Sequence, residues 1–180
     1  MQRTIKYLLL TLIAAFTLES CNSGESLQTY FVDNQESGNF ISQDIPLSMV
    51  KLDQSQFTEE QKEAYNSVSR LNFLGYKSDS TNAETFNAEL SKVKAILKDD
   101  KYNDLMEFSD KGNKVIVKYI GDDDEADEVI VFGSSKELGF AIVRVLGDDM
   151  SPEKMATLVS ALQTADFDTS QLEGVVDFFK

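Results

Sequence analysis

Few residues in this chain have the types and spacing that chemistry requires. Cys21 is the single cysteine among 180 residues, and histidine is absent. One thiol cannot close an intramolecular disulfide or build a thiolate metal cluster. Without histidine the most common general base, metal ligand and pH switch are lost together. Catalysis is left to Asp, Glu, Lys, Ser or Tyr, and the motifs that contain them do not converge. Ser48-Met49-Val50-Lys51 fits the S-x-x-K pattern in which a lysine activates a serine, but the Ser-Asp-Asn and Lys-Thr-Gly elements that complete such a site are missing. Gly121 to Glu128, GDDDEADE, places six acids in eight residues. A calcium loop needs acids at alternate positions, then a glycine, then a bidentate glutamate. These acids are contiguous, so the run reads as a solvated hairpin turn that discourages edge-to-edge pairing. Gly133 to Gly139, GSSKELG, lacks the terminal Gly-Lys-Ser/Thr and following helix of a phosphate-binding loop, and reads as a turn. Arg144, one of three arginines, lies inside the apolar run FAIVRVL. Its guanidinium can pair with an acid such as Glu107 or Asp104, or receive an anionic ligand. No cofactor and no metal site is expected.

Cys21 has a clearer context. Arg3 and Lys6 are followed by YLLLTLIAAFTL, Tyr7 to Leu18, twelve residues without a charge. As a helix they rise only about 18 Å against a hydrocarbon core of roughly 30 Å, so the stretch reads as a secretory signal and not as a span. Leu18, Glu19 and Ser20 then precede Cys21, and the four residues resemble the bacterial lipobox. In that motif an aliphatic residue at −3 and a small residue at −1 precede a cysteine that receives a diacylglyceryl group before cleavage. Leu18 and Ser20 match; Glu19 is an unusual occupant of the middle position. A free thiol in an oxidising envelope is a liability, and acylation consumes it. Residues 1–20 are therefore read as a lipoprotein signal peptide, with the mature chain starting at Cys21. Palmitate-class acyl chains contribute about 0.8 kcal/mol per buried CH₂, enough to anchor an acidic protein to a membrane.

The formal charge of −14, from 17 basic and 31 acidic residues, argues against nucleic acid as a partner, since phosphate binding needs a basic footprint. It equally disfavours peripheral attachment to anionic headgroups. Behind Cys21, residues 21–37 are polar, with Gly24 inside and Gly38 just after them, and read as a flexible tether lifting the domain off the bilayer.

The elements that must position these residues begin near Gly38. An edge strand is expected near 39–43, then a helical turn after Pro46. Thr58 to Gln61 forms a capping box, opening a helix that would bury Ala64, Tyr65 and Val68. RLNFLGY, Arg70 to Tyr76, reads as a strand. A second capping box, Thr81 to Glu84, opens a helix whose Phe86, Leu90, Val93 and Leu97 share one face. Four strand-like runs follow between 102 and 147, separated by short turn-rich loops, which favours an antiparallel meander. The last of these runs is apolar on both faces and is expected to be central. Ser151-Pro152-Glu153 starts another helix, with Met155, Leu158, Val159 and Leu162 as its buried stripe. Leu172, Val175, Val176 and Phe179 repeat that scheme in the tail. The fold class is α+β, a largely antiparallel sheet with a four-strand C-terminal meander and helices packed on one face. Residues 38–163 make the domain and 164–180 a C-terminal helical tail.

The order of these elements, with RLNFLGYKS, VKAILKDDKYNDLMEF and the closing VRVLGDD, resembles a family of small lipoproteins of the Bacteroidota catalogued as a domain of unknown function. The resemblance covers roughly 38–163. It implies a cell-envelope location, outer membrane or periplasmic, and an α+β fold, and brings no active site to transfer. The expected function is that of a membrane-tethered, non-enzymatic module contacting an envelope protein. A carrier of small molecules or peptides, with its ligand between helices and sheet, is the alternative.

Overall fold

The computed structural model describes residues 25–50, 53–110, 112–162 and 177. The expected signal segment 1–20, with Leu18, Glu19 and Ser20 read as a lipobox, Cys21 itself, and the tail 164–180 apart from Asp177 lie outside the described residues.

The elements are α1 (Leu27–Asn34), β1 (Phe40–Pro46), a 3-10 turn (Leu47–Met49), α2 (Glu59–Asn66), β2 (Val68–Lys77), α3 (Ala83–Ile96), β3 (Asn103–Asp110), β4 (Asn113–Gly121), β5 (Ala126–Ser135), β6 (Gly139–Gly147) and α4 (Pro152–Leu162). All six strands form one sheet in the order β1-β2-β6-β5-β4-β3, and every pairing is antiparallel. The fold is α+β. Its meander β3 to β6, its edge strand β1 and its central strand β6 follow the expectation, because short turns leave only antiparallel pairing open.

Thr58 caps α2 in a complete box: its hydroxyl accepts from the Gln61 N–H and its own N–H donates to the Gln61 side chain. The second expected box does not form. Asn82 takes the N-cap position of α3 without a side-chain cap bond, and Thr81 is drawn back onto Asp79. The Asp79 carboxylate accepts from the Thr81 N–H, the Thr81 hydroxyl and the Asn82 N–H, a local loop that competes with a Thr81 cap. Val68 is buried as expected, but as the first residue of β2 and not on a helix.

Alternation along the strands divides the core in two. Leu74 and Tyr76 of β2, Ile130 and Phe132 of β5, and Phe140 and Ile142 of β6 face one side with residues of α1 and α3. Val129, Val145, Val117 and Tyr119 face the other with Ala64 of α2 and Met155 and Leu158 of α4. Among the described residues helices therefore occupy both sides of the sheet, two on each, where one side was expected. The central strands are apolar on both faces, and two faces of that kind both require a cover.

The larger correction concerns residues 27–34, placed by the sequence reading within a tether. They form α1, capped by the Ser26 hydroxyl, which accepts from the Thr29 N–H. Leu27, Tyr30 and Phe31 are 1%, 0% and 6% exposed. Burying three such side chains stabilises by about 6 kcal/mol at the upper bound. Tyr30 meets Phe40 edge-on with ring centres 6.1 Å apart, and its hydroxyl donates to Glu89 of α3 at 2.8 Å. Burial, then that bond, push the Tyr30 phenol far above its ordinary pKa. The Leu27 N–H donates to the Tyr102 hydroxyl at 3.0 Å, tying the first turn of α1 to the connection between α3 and β3. Composition misled here: one short amphipathic turn among polar residues carries little periodicity, and a tertiary surface decides its state.

Candidate functional site

Arg144 stands opposite Ile130 of β5 and Asn72 of β2, on the side covered by α1 and α3. Its Nε and Nη2 donate to the two carboxylate oxygens of Glu128 at 2.6 and 2.7 Å. Glu128 lies two residues from Ile130 on β5, the diagonal same-face neighbour of Arg144. The two side chains are only 13% and 12% exposed, and the guanidinium carbon sits 5.4 Å from the centre of the Phe31 ring. Hydrogen bonding to Glu128 raises the Arg144 pKa above its ordinary value, against the lowering effect of burial. Both acids expected as partners are engaged elsewhere: Glu107 with Lys114 at 2.9 Å, and Asp104 with Lys118. Arg144 is thus held by an internal fork-to-fork pair under an aromatic ring, which fixes α1 onto the sheet and occupies the edge an anionic ligand would need. Strand register could have identified Glu128, but it was read only as one of six acids in a turn. The turn itself is present at 122–125, where the Asp122 carboxylate accepts from the N–H groups of Asp124 and Glu125.

A cleft of about 650 Å³ opens on the same side, between the end of α3 and the β3–β4 pair. Lys94 and Lys98 reach it from α3 and its C-terminal extension, and Lys114 and Lys118 from β4. Leu97, Tyr102 and Ile116 supply its apolar wall, and Asp99, Asp100, Asp104 and Glu107 balance the lysines in number. No sequence signal pointed to this cleft, because its walls come from segments that only the topology brings together. Among the described residues no group of three or more Asp, Glu, Cys or His is placed to hold a metal ion.

The opposite side of the sheet has a different character. Its register aligns Phe108, Val115, Gly133 and Ala141 in one row, and Met106, Val117, Val131 and Val143 in the next. α2 and α4 pack over Val117, Tyr119, Val129 and Val145, and Met106, Val115, Val131 and Val143 lie against the margin of that cluster. An open apolar groove of about 270 Å³ runs along the first row and is bounded by Leu138. Leu138 is 53% and Phe108 37% exposed. Ser48, first residue of the S-x-x-K match, is exposed within the 3-10 turn, and Lys51 lies outside the described residues. Of the Gly133–Gly139 stretch expected to be a turn, only Lys136, Glu137 and Leu138 form the tight β5–β6 connection; Gly133 to Ser135 end β5 and Gly139 begins β6.

No curated protein and no solved structure matches the chain. The family described as "Domain of unknown function (DUF4252)" matches residues 30–158, from within α1 to within α4. That match covers most of the 180 residues and nearly all of the two-sided sheet, and the chain belongs to this family.

Proposed function

We propose that the protein is a cell-envelope lipoprotein, anchored by acyl chains on Cys21, whose α+β domain acts without catalysis as a protein-interaction module. The observation that carries this reading is the open apolar groove along Val115, Gly133 and Ala141, with Leu138 and Phe108 exposed beside it. Apolar surface of this kind on a domain otherwise rich in carboxylates marks a contact site. The absence of histidine and the internal pairing of Arg144 favour a binding role over an enzymatic one. A carrier would instead enclose its ligand in an apolar cavity, whereas the clefts here open to solvent and the larger is lined by charge.

Photo-crosslinking in intact cells tests the reading. A benzophenone side chain at Leu138 or Phe108 should yield a discrete product of higher mass that contains a second envelope protein. The same group at Val32, exposed on α1, should not. Crosslinks from Leu138 only to the chain's own residues 164–180, with no gain in mass, would show that the strip is covered internally and would sink the proposal.

A further inference from the structure

We infer that the acylated protein sits directly on the bilayer in one orientation, with the C-terminal half of α3 and the loop into β3 apposed to the phospholipid headgroups. This rests on the acylation of Cys21 proposed above. The first observation is length. Ser26 caps α1 and Leu27 is buried, so residues 22–25 alone separate the lipid-bearing residue from the folded domain. Five residue steps span at most about 18 Å even when fully extended. A domain of this size is roughly 35–40 Å across, so the anchor cannot reach its far side or let it turn freely. The expectation of a tether that lifts the domain off the membrane is replaced by a short strap.

The second observation is which surface that strap reaches. The Leu27 N–H is bonded to the Tyr102 hydroxyl. Glu25, the last residue before the cap, shares a shallow surface pocket with Lys92, Ala95, Ile96 and Asp99 of the α3 end. The domain's entry point and the end of α3 are one place.

The third observation is charge. Lys92, Lys94, Lys98 and Lys101 fall within ten residues here, and Lys94 and Lys98 make no ion pair with any described residue. Glu25, Glu89, Asp99 and Asp100 match these four lysines in number. The cleft alongside adds Lys114 paired with Glu107 and Lys118 paired with Asp104. This end of the domain is formally neutral. The mature chain from Cys21 carries 15 basic against 30 acidic residues, and among the described residues the excess of carboxylates lies on other surfaces. Surface potential decays over a Debye length of about 8–10 Å, so the charge that an anionic bilayer feels is that of the nearest face. With the α3 end down, repulsion is weaker than with a carboxylate-rich face down.

The test uses the acylated full-length protein reconstituted in vesicles of phosphatidylethanolamine and phosphatidylglycerol that contain a headgroup-nitroxide lipid. With Cys21 acylated, an introduced cysteine is the only free thiol and takes a fluorophore cleanly. Ala95→Cys marks the α3 end, Ser80→Cys the loop before α3, and Ser48→Cys the β1 edge; all three positions are exposed. Quenching is expected to be several-fold stronger from Ala95 than from Ser80 or Ser48. A twenty-residue Gly/Ser segment inserted between Ser23 and Gly24 adds a coil of about 25 Å and should abolish the difference. Intact mass and flotation report acylation separately. A protein without lipid mass overturns the anchor and this inference with it, while a lipidated, floating protein with equal quenching at all three positions overturns the orientation alone.

Discussion

Two residues carry most of what can be tested atom by atom. Replacing Cys21 with Ser should move the protein from the membrane fraction to the soluble fraction, read by fractionation and by loss of lipid mass; unchanged partitioning would refute the anchor. Arg144 and Glu128 form a pair of two charges that are both mostly buried. Removing one partner leaves the other uncompensated, so Glu128→Gln should destabilise the domain by about 3 kcal/mol in urea unfolding. The double substitution Arg144→Met with Glu128→Leu should cost less than either single change, because it removes both desolvated charges. If the double variant were the sum of the singles, the pair would not be coupled. Asp79 provides a pH test. Hydrogen bonds, first from the Thr81 hydroxyl, hold its carboxyl below the ordinary pKa. A depressed folded value means that its stabilisation is fully present above the unfolded pKa and is lost as pH falls through the folded one. NMR titration of Asp79 should show the lowered midpoint, and Thr81→Val should move it back up. Arg144 was visible in the sequence as an anomaly in an apolar strand. Its partner was hidden, because a strand register and not a sequence interval joins residues 128 and 144.

Among the elements, α1 departs furthest from expectation. If it belongs to the core, Leu27→Ala should lower stability by about 3 kcal/mol, within the range for emptying a buried leucine site. A flexible segment would tolerate that change without effect in thermal or urea melts. Hydrogen exchange should likewise show the α1 amides protected together with those of α3, since Tyr30 and Glu89 join the two helices. The β5–β6 connection depends on Gly139, which has φ of +121° and whose Cβ, if present, would lie 2.0 Å from the Tyr76 carbonyl oxygen. Gly139→Ala therefore strains the backbone and forces β2 and β6 apart, and should destabilise by about 2 kcal/mol or more. The strands of the meander were readable because alternation and short turns are local. The second capping box was not, since Thr81 had two partners of similar reach, Asp79 and the α3 backbone, and the three-bond Asp79 loop takes it.

For the whole molecule, the distribution of surface matters more than any single contact. One side of the sheet carries the neutral end beside the proposed anchor, and the other carries the open apolar strip. A membrane contact and a protein contact can thus be made at once, and crosslinking through Leu138 should persist in the lipidated, vesicle-bound protein. Loss of that crosslink on vesicle binding would mean that the two surfaces compete. By itself the sequence determined the features set by local chemistry: a lone cysteine behind an apolar run, no histidine, an excess of acidic residues, an antiparallel meander and the caps of α2 and α4. These depend on residue type and on spacings of a few residues. Only the tertiary structure decided that α1 is core, that helices cover both faces, that Arg144 is held by Glu128, and that lysines from α3 and β4 share a cleft. Each of those depends on which surfaces meet across the sheet, and the free energy of burial that selects them is earned between segments far apart in the chain.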